Sequence, residues 1–199
     1  MQSTLAASVP EYVGADLTDR YSAQCRDIDV CGLRPAGNNR LPAAFWHWRW
    51  DRAPQRLDVT VIAIELRAAK VAMLDGPQAF ARKGSALRVC ERHSAAVGKT
   101  PDTRPAINKP FAGFICSSID LFNALKREGI AISPPAFIGG VSEVYPGHIW
   151  TILTGDRPLP QKSTEAGRLA RKRILEALGV SGLPKSQPTT RTTHVSLRS

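Results

Sequence analysis

The hydrophobic pattern changes period once along the chain, and this change restricts the fold more than any other feature. Up to Trp50 the apolar residues alternate. In residues 11–17, Val13, Ala15 and Leu17 share one face and Tyr12, Gly14 and Asp16 the other, the two-residue repeat of a strand. Residues 28–33 read as a second strand, ending in the turn-rich Arg34-Pro-Ala-Gly-Asn-Asn39. Residues 44–50 read as a third, with Trp46, Trp48 and Trp50 on one face and Phe45, His47 and Arg49 on the other. Three such runs divided by turns describe an antiparallel meander. Beyond Trp50 helix and strand alternate. Residues 57–69 have helical spacing, and Val71-Ala-Met-Leu74 is a short, fully apolar run that stops at Asp75-Gly-Pro77. Residues 78–96 are compatible with a helix broken at Gly84, and residues 97–111 read as a loop. Residues 117–127 form a further helix, capped by Ser117 or Ser118 and ended by Gly129. An apolar run at 137–144 precedes a short helix at 147–153. Residues 163–178 carry the clearest helix, with Ala166, Ala170, Ile174 and Ala177 on one face, Ser163 or Thr164 as cap and Gly179 as stop. A meander followed by helix–strand alternation is the pattern of an α/β chain whose mixed sheet is covered by helices.

At 199 residues this is one domain with short additions: an extension over 1–10, a folded domain over 11–180 and a Ser/Thr/Pro-rich basic tail over 181–199. No apolar run is long enough to span a membrane, and Met1 to Gly14 lack the basic start and apolar stretch of a secretory signal, which predicts a cytoplasmic protein. Cys25, Cys31, Cys90 and Cys116 form no C-x-x-C pair, so zinc-finger spacing is absent and free thiols are expected. The net charge is +10, of which the residues from Pro160 onward contribute +6 (eight Lys/Arg against two Glu). Such an excess suits nucleic acid or another phosphate-bearing ligand; its plainer reading is a solvated face with a basic tail.

Three acids share one context: Asp16 at the end of the first strand, Asp75 closing a buried strand, and Glu143 near the end of another. Ligand sites in open α/β sheets lie beyond the carboxyl ends of central strands. Gathered there, three carboxylates repel unless a hard divalent cation, Mg²⁺ or Mn²⁺, neutralises them. A carboxylate site holding two such ions performs in-line phosphoryl chemistry. Taken singly, each acid reads equally as a hydrated strand end or a helix cap.

The segments Val13-Gly-Ala-Asp16, Met73-Leu-Asp-Gly-Pro-Gln78, Glu143-Val-Tyr-Pro146 and Lys162-Ser-Thr-Glu-Ala-Gly-Arg168 with Arg171, in that order, resemble domain-of-unknown-function family 429, predicted nuclease-like proteins of the ribonuclease H-like fold. Arg88-Val-Cys-Glu-Arg92 resembles the Cys-acid-Arg segment between that family's second and third motifs. The resemblance implies a five-stranded mixed sheet whose first three strands are antiparallel. It implies Asp16, Asp75 and Glu143 as catalytic residues and ligands of Mg²⁺ or Mn²⁺. It implies Lys162, Thr164, Arg168 and Arg171 as the flanking substrate-binding residues, although those four also read as an ordinary capped, solvated helix. The expected activity is phosphodiester hydrolysis; the alternative is an inactive nucleic-acid or nucleotide-binding module. The chain departs from the family at its end, where no acid follows Glu176 and the expected late carboxylate is missing.

Weaker signals complete the reading. Gly98-Lys-Thr100 lacks the earlier glycine of a phosphate loop, since His93 stands there. The tryptophan stripe reads as core or helix packing before base stacking. His148, five residues after Glu143, is a candidate for proton transfer, and Cys90 with His93 makes a weaker nucleophile pair.

Overall fold

A computed structural model describes residues 10–23, 25–50, 57–94, 99–133 and 138–184. Residues 1–9 of the extension expected over 1–10 and residues 185–199 of the tail expected over 181–199 lie outside them, as do residues 95–96 and Phe137 of two expected elements. The described residues form a mixed sheet of seven strands with five helices. The strands are β1 (Tyr12–Asp16), β2 (Ile28–Leu33), β3 (Leu41–Trp48), β4 (Val71–Asp75), β5 (Ala131–Ile132), β6 (Gly140–Val144) and β7 (Val180–Ser181), in the order β5-β6-β4-β1-β2-β3-β7. β2 runs antiparallel to both β1 and β3, the expected meander; β4, β5, β6 and β7 each join a neighbour in parallel. The count of five is corrected to seven because β5 and β7 are two-residue additions at the edges, too short to show a period.

The meander turns at Asn38 and Asn39, both left-handed (φ 66° and 56°), a region asparagine tolerates. Helix α1 (Val59–Ala68) begins where Asp58 Oδ1 accepts from the Val61 N–H at 3.1 Å, and it buries Ile62, Ala63 and Leu66. Helix α3 (Ala112–Arg127) contributes Leu121, Phe122 and Leu125 to the same cluster. Together they cover the face that carries Val13, Ala15, Ile28, Val30, Ala72, Leu74 and Val141. The tryptophans belong to this packing. Trp46 and Trp48 Nε1 both donate to Glu65 Oε2 on α1 (3.0 and 2.7 Å), and Trp50 Nε1 donates to Thr18 Oγ1 at 3.0 Å.

Three helix expectations are corrected. The helix over 78–96 contracts to α2 (Val89–His93), because the preceding backbone donors are taken elsewhere: Ala81 N–H by Pro101 O at 2.8 Å and Gly84 N–H by Asp102 Oδ2 at 2.7 Å. α3 starts five residues early, on Phe111 at φ 60°, and its expected caps are inside it: Ser117 Oγ accepts from Arg20 N–H, and Ser118 Oγ donates to Phe114 O. Helix α4 (Pro146–Thr154) falls where expected. Helix α5 (Glu165–Ala177) is capped by Thr164, but Ala166 and Ala177 are exposed and Gly167 is its one buried residue.

Gly76 sets how closely α3 approaches the end of β4. A Cβ there would meet Ser118 Oγ at 2.5 Å and Ser118 Cβ at 2.9 Å. Gly76→Ala is therefore expected to cost about 1–3 kcal/mol in denaturant unfolding; an unchanged midpoint would show that α3 is not wedged against this turn.

Candidate functional site

The register of β1, β4 and β6 decides what meets at the carboxyl edge of the sheet. In the parallel β1–β4 pair Asp16 stands opposite Asp75, so the two carboxylates leave the sheet on one face as neighbours. In the β4–β6 pair Leu74 stands opposite Glu143 and Asp75 opposite Val144. Glu143 is therefore one residue out of step and leaves on the other face. Among the described residues no group of three or more His, Cys, Asp and Glu side chains is gathered to hold a metal ion.

Each acid has its own environment. Asp16 is half-exposed and ion-paired to Arg26 Nη2 at 2.7 Å, while Arg26 Nη1 reaches Asp29 at 2.6 Å. The Asp16 hydrogen bond raises the Arg26 pKa. Glu143 is gripped by both arms of the Arg88 guanidinium, with Nη1 to Oε2 at 2.5 Å, and also accepts from the Gln78 N–H at 3.1 Å. Among the described residues no cation forms an ion pair with Asp75. Burial and then the charge of Asp16 push its carboxyl up to about 6; Lys162 pulls it the other way, by more than Glu143 adds to the push.

Arg88 anchors a network that the sequence reading did not assign. Its side chain is 11% exposed. Burial pulls its pKa down, but Glu143 and Glu91 outweigh burial and raise it. Glu91 is buried and accepts from Arg88 N–H (3.1 Å), Arg88 Nε (2.9 Å), Thr100 N–H (2.9 Å) and Thr100 Oγ1. Burial would raise the Glu91 pKa, and these donors overcome that and lower it. Breaking such a pair costs far more than the pair is worth, because it strands a buried charge. The signal in the sequence was the i, i+3 spacing of Arg88 and Glu91 beside a threonine from a segment that is no phosphate loop.

The four expected substrate-binding residues divide. Lys162 is close enough to Asp75 for its charge to act on that carboxyl. Thr164 is a cap: its Oγ1 accepts from Gly167 N–H at 3.0 Å and donates to Gln161 O at 2.8 Å. Arg168 Nη1 donates to Ser163 O at 2.8 Å, and its Nε is buried without a partner. Arg171 Nη1 donates to the Pro160 and Gly167 carbonyls, with the guanidinium 5.6 Å from the Trp150 ring. These last three hold the loop before α5 against the helix.

Off the ends of β4 and β6 lies a cavity of about 710 Å³, lined in part by Asp75, Arg88, Glu143, His148, Cys90 and His93. The strand-end acids, of which Asp75 and Glu143 line this cavity, fit a hard cation in part. The Asp16–Asp75 pair offers neighbouring oxygens that a positive charge would relieve of mutual repulsion, whereas Glu143 is committed to Arg88. Cys25, Cys31, Cys90 and Cys116 are free thiols. Among the described residues no helix is long and apolar enough to cross a membrane.

No family model, no curated protein and no solved structure matches this chain.

The Asp75 environment fixes a sign. An acid whose folded pKa lies above its unfolded value binds more protons folded than unfolded, so stability falls as pH rises from about 4 to about 6 and is flat above. Asp75→Asn is expected to unfold at a higher temperature than wild type at pH 7. The gain should be on the order of 1 kcal/mol, discounted for solvent reaching a half-buried group, with that pH slope abolished. Thermal melts across pH 4–7 check this; a less stable variant at pH 7 would contradict it.

Proposed function

We propose that the chain is a divalent-metal-dependent phosphodiester hydrolase, a nuclease on a ribonuclease H-like scaffold related to domain-of-unknown-function family 429. The observation that carries this reading is the Asp16–Asp75 pair, two carboxylates in register at the ends of adjacent parallel strands, one with its pKa pushed up to about 6. The scaffold reading is supported by five strands of five residues or more, the first three antiparallel and the rest parallel.

Mg²⁺ or Mn²⁺ held by Asp16 and Asp75 would supply Lewis-acid polarisation of a phosphoryl oxygen and a more acidic water. The protein's own residues do the rest. Arg26 fixes the Asp16 carboxylate in place. Lys162, on the Asp75 side, draws in the phosphate by charge. Arg88 holds Glu143 at the rim of the cavity, where Glu143 shapes the wall and adds negative charge toward Asp75. His148, exposed on the same cavity, carries the proton between the reacting oxygen and solvent.

A second reading is favoured by one observation, the Arg88 grip on Glu143, which withdraws the third carboxylate from any ligand set. On it the chain binds nucleic acid or another phosphate-bearing ligand without turnover.

Calorimetry with Mn²⁺ is expected to give a binding heat for wild type that Asp75→Asn abolishes. Cleavage of a single-stranded oligonucleotide should then require Mn²⁺ and slow by roughly 100-fold or more in Asp16→Asn. No Mn²⁺ heat in wild type overturns the hydrolase. Salt-sensitive binding without cleavage leaves the second reading in its place.

A further inference from the structure

We infer that the cavity beside Asp75 is a nucleobase pocket and that the ligand is single-stranded nucleic acid, with Phe111 as the wall between two successive bases. This rests on the phosphodiester reading and adds to it the form of the substrate.

Three observations meet here. The cavity, at about 710 Å³, is of small-molecule size and opens at the carboxyl edge that carries Asp75. Its wall is largely apolar, with Met73, Phe114 and Ile149, yet it includes Ser142, whose Oγ is buried with no hydrogen-bond partner. Ser142 stands opposite Met73 in the β4–β6 register, hence on the face from which Asp75 leaves the sheet. Gln78 lines the same wall; its Oε1 accepts from Ser133 Oγ at 2.6 Å, and its amide nitrogen carries two donors. A flat apolar body with donors and acceptors on its edge matches this lining. An acyl chain would offer nothing to Ser142 Oγ or to the Gln78 amide N–H groups.

The third observation is Phe111. It is 56% exposed and held at φ 60°, a conformation that bulky residues avoid and that recurs at functional sites. Phe111 and Phe114 line this cavity and also a second one of about 450 Å³, whose other lining residues include Leu17, Asp19 and Arg26. The two phenylalanines thus stand between two cavities on either side of the acidic edge. Aromatic rings so placed stack successive bases irrespective of sequence. A base enters such a pocket only unpaired, which selects a single strand over a duplex.

Fluorescence anisotropy in EDTA tests this without turnover, using a short labelled single-stranded oligonucleotide, its duplex and an abasic strand with the same phosphates. The intact strand is expected to bind about tenfold more tightly than the abasic strand and the duplex. Phe111→Ala should remove most of that advantage and leave abasic binding unchanged. Ser142→Ala, which removes only the hydroxyl, should weaken intact-strand binding severalfold and provides the test where Phe111→Ala folds poorly. Equal binding of intact and abasic strands, or no binding of either, overturns the pocket. The metal reading fails separately: a chain that prefers intact strands and gives no Mn²⁺ heat keeps the pocket and loses the hydrolase, whereas one that binds Mn²⁺ with no such preference does the reverse.

Discussion

The parallel pairing of β1 with β4 is the constraint on which the rest depends. Val13 and Ala15 must face α1 and α3, and Ala72 and Leu74 must do the same. With side chains alternating, that burial fixes the register, and the register places Asp16 opposite Asp75. The two acids cannot be separated without turning a core face to solvent. Their repulsion is built into the fold, and a counter-charge or a proton relieves it. Arg26 supplies a counter-charge for Asp16, and among the described residues none is ion-paired to Asp75.

The second organising element is the Arg88 guanidinium. It ties Glu143, at the end of β6, to Glu91 of α2, and Glu91 ties Thr100 in turn. The segment between β4 and α3 has little regular structure, so these charge-assisted bonds fix it over the strand ends. The cavity exists because this segment is held there. The same grip keeps Glu143 from the Asp16–Asp75 row, which the one-residue offset of β6 had already turned away.

Much of the fold was legible because alternation and helical spacing are local. The strands at 11–17, 28–33 and 71–74, the antiparallel meander before Trp50 and a cap at Ser163 or Thr164 all follow from neighbouring residues. So does the assignment of the tryptophans to helix packing, since one face of a half-buried strand must meet something. What failed was not local. Residues 78–88 have helical composition, yet their donors go to residues 101–102, a partner that no spacing rule reveals. The start of α3 was misjudged because a phenylalanine with positive φ carries no sequence signal. Within the site, strand-end position anticipated that Asp16 and Asp75 lie at the sheet edge, but whether β6 is in step with β4 depends on a long-range register. Thr164 and Arg171, which the resemblance marks as substrate-binding, bond carbonyls of the preceding loop, as in the alternative reading of an ordinary capped helix.

The central claim is that Asp75 is a carboxyl held in a charged state the fold disfavours until a cation arrives. Titration of its side-chain carbon by nuclear magnetic resonance, with and without Mg²⁺, tests that claim most directly. The account expects a midpoint near 6 in the metal-free protein, falling when Mg²⁺ is added. An ordinary carboxylate midpoint that Mg²⁺ does not move would contradict it.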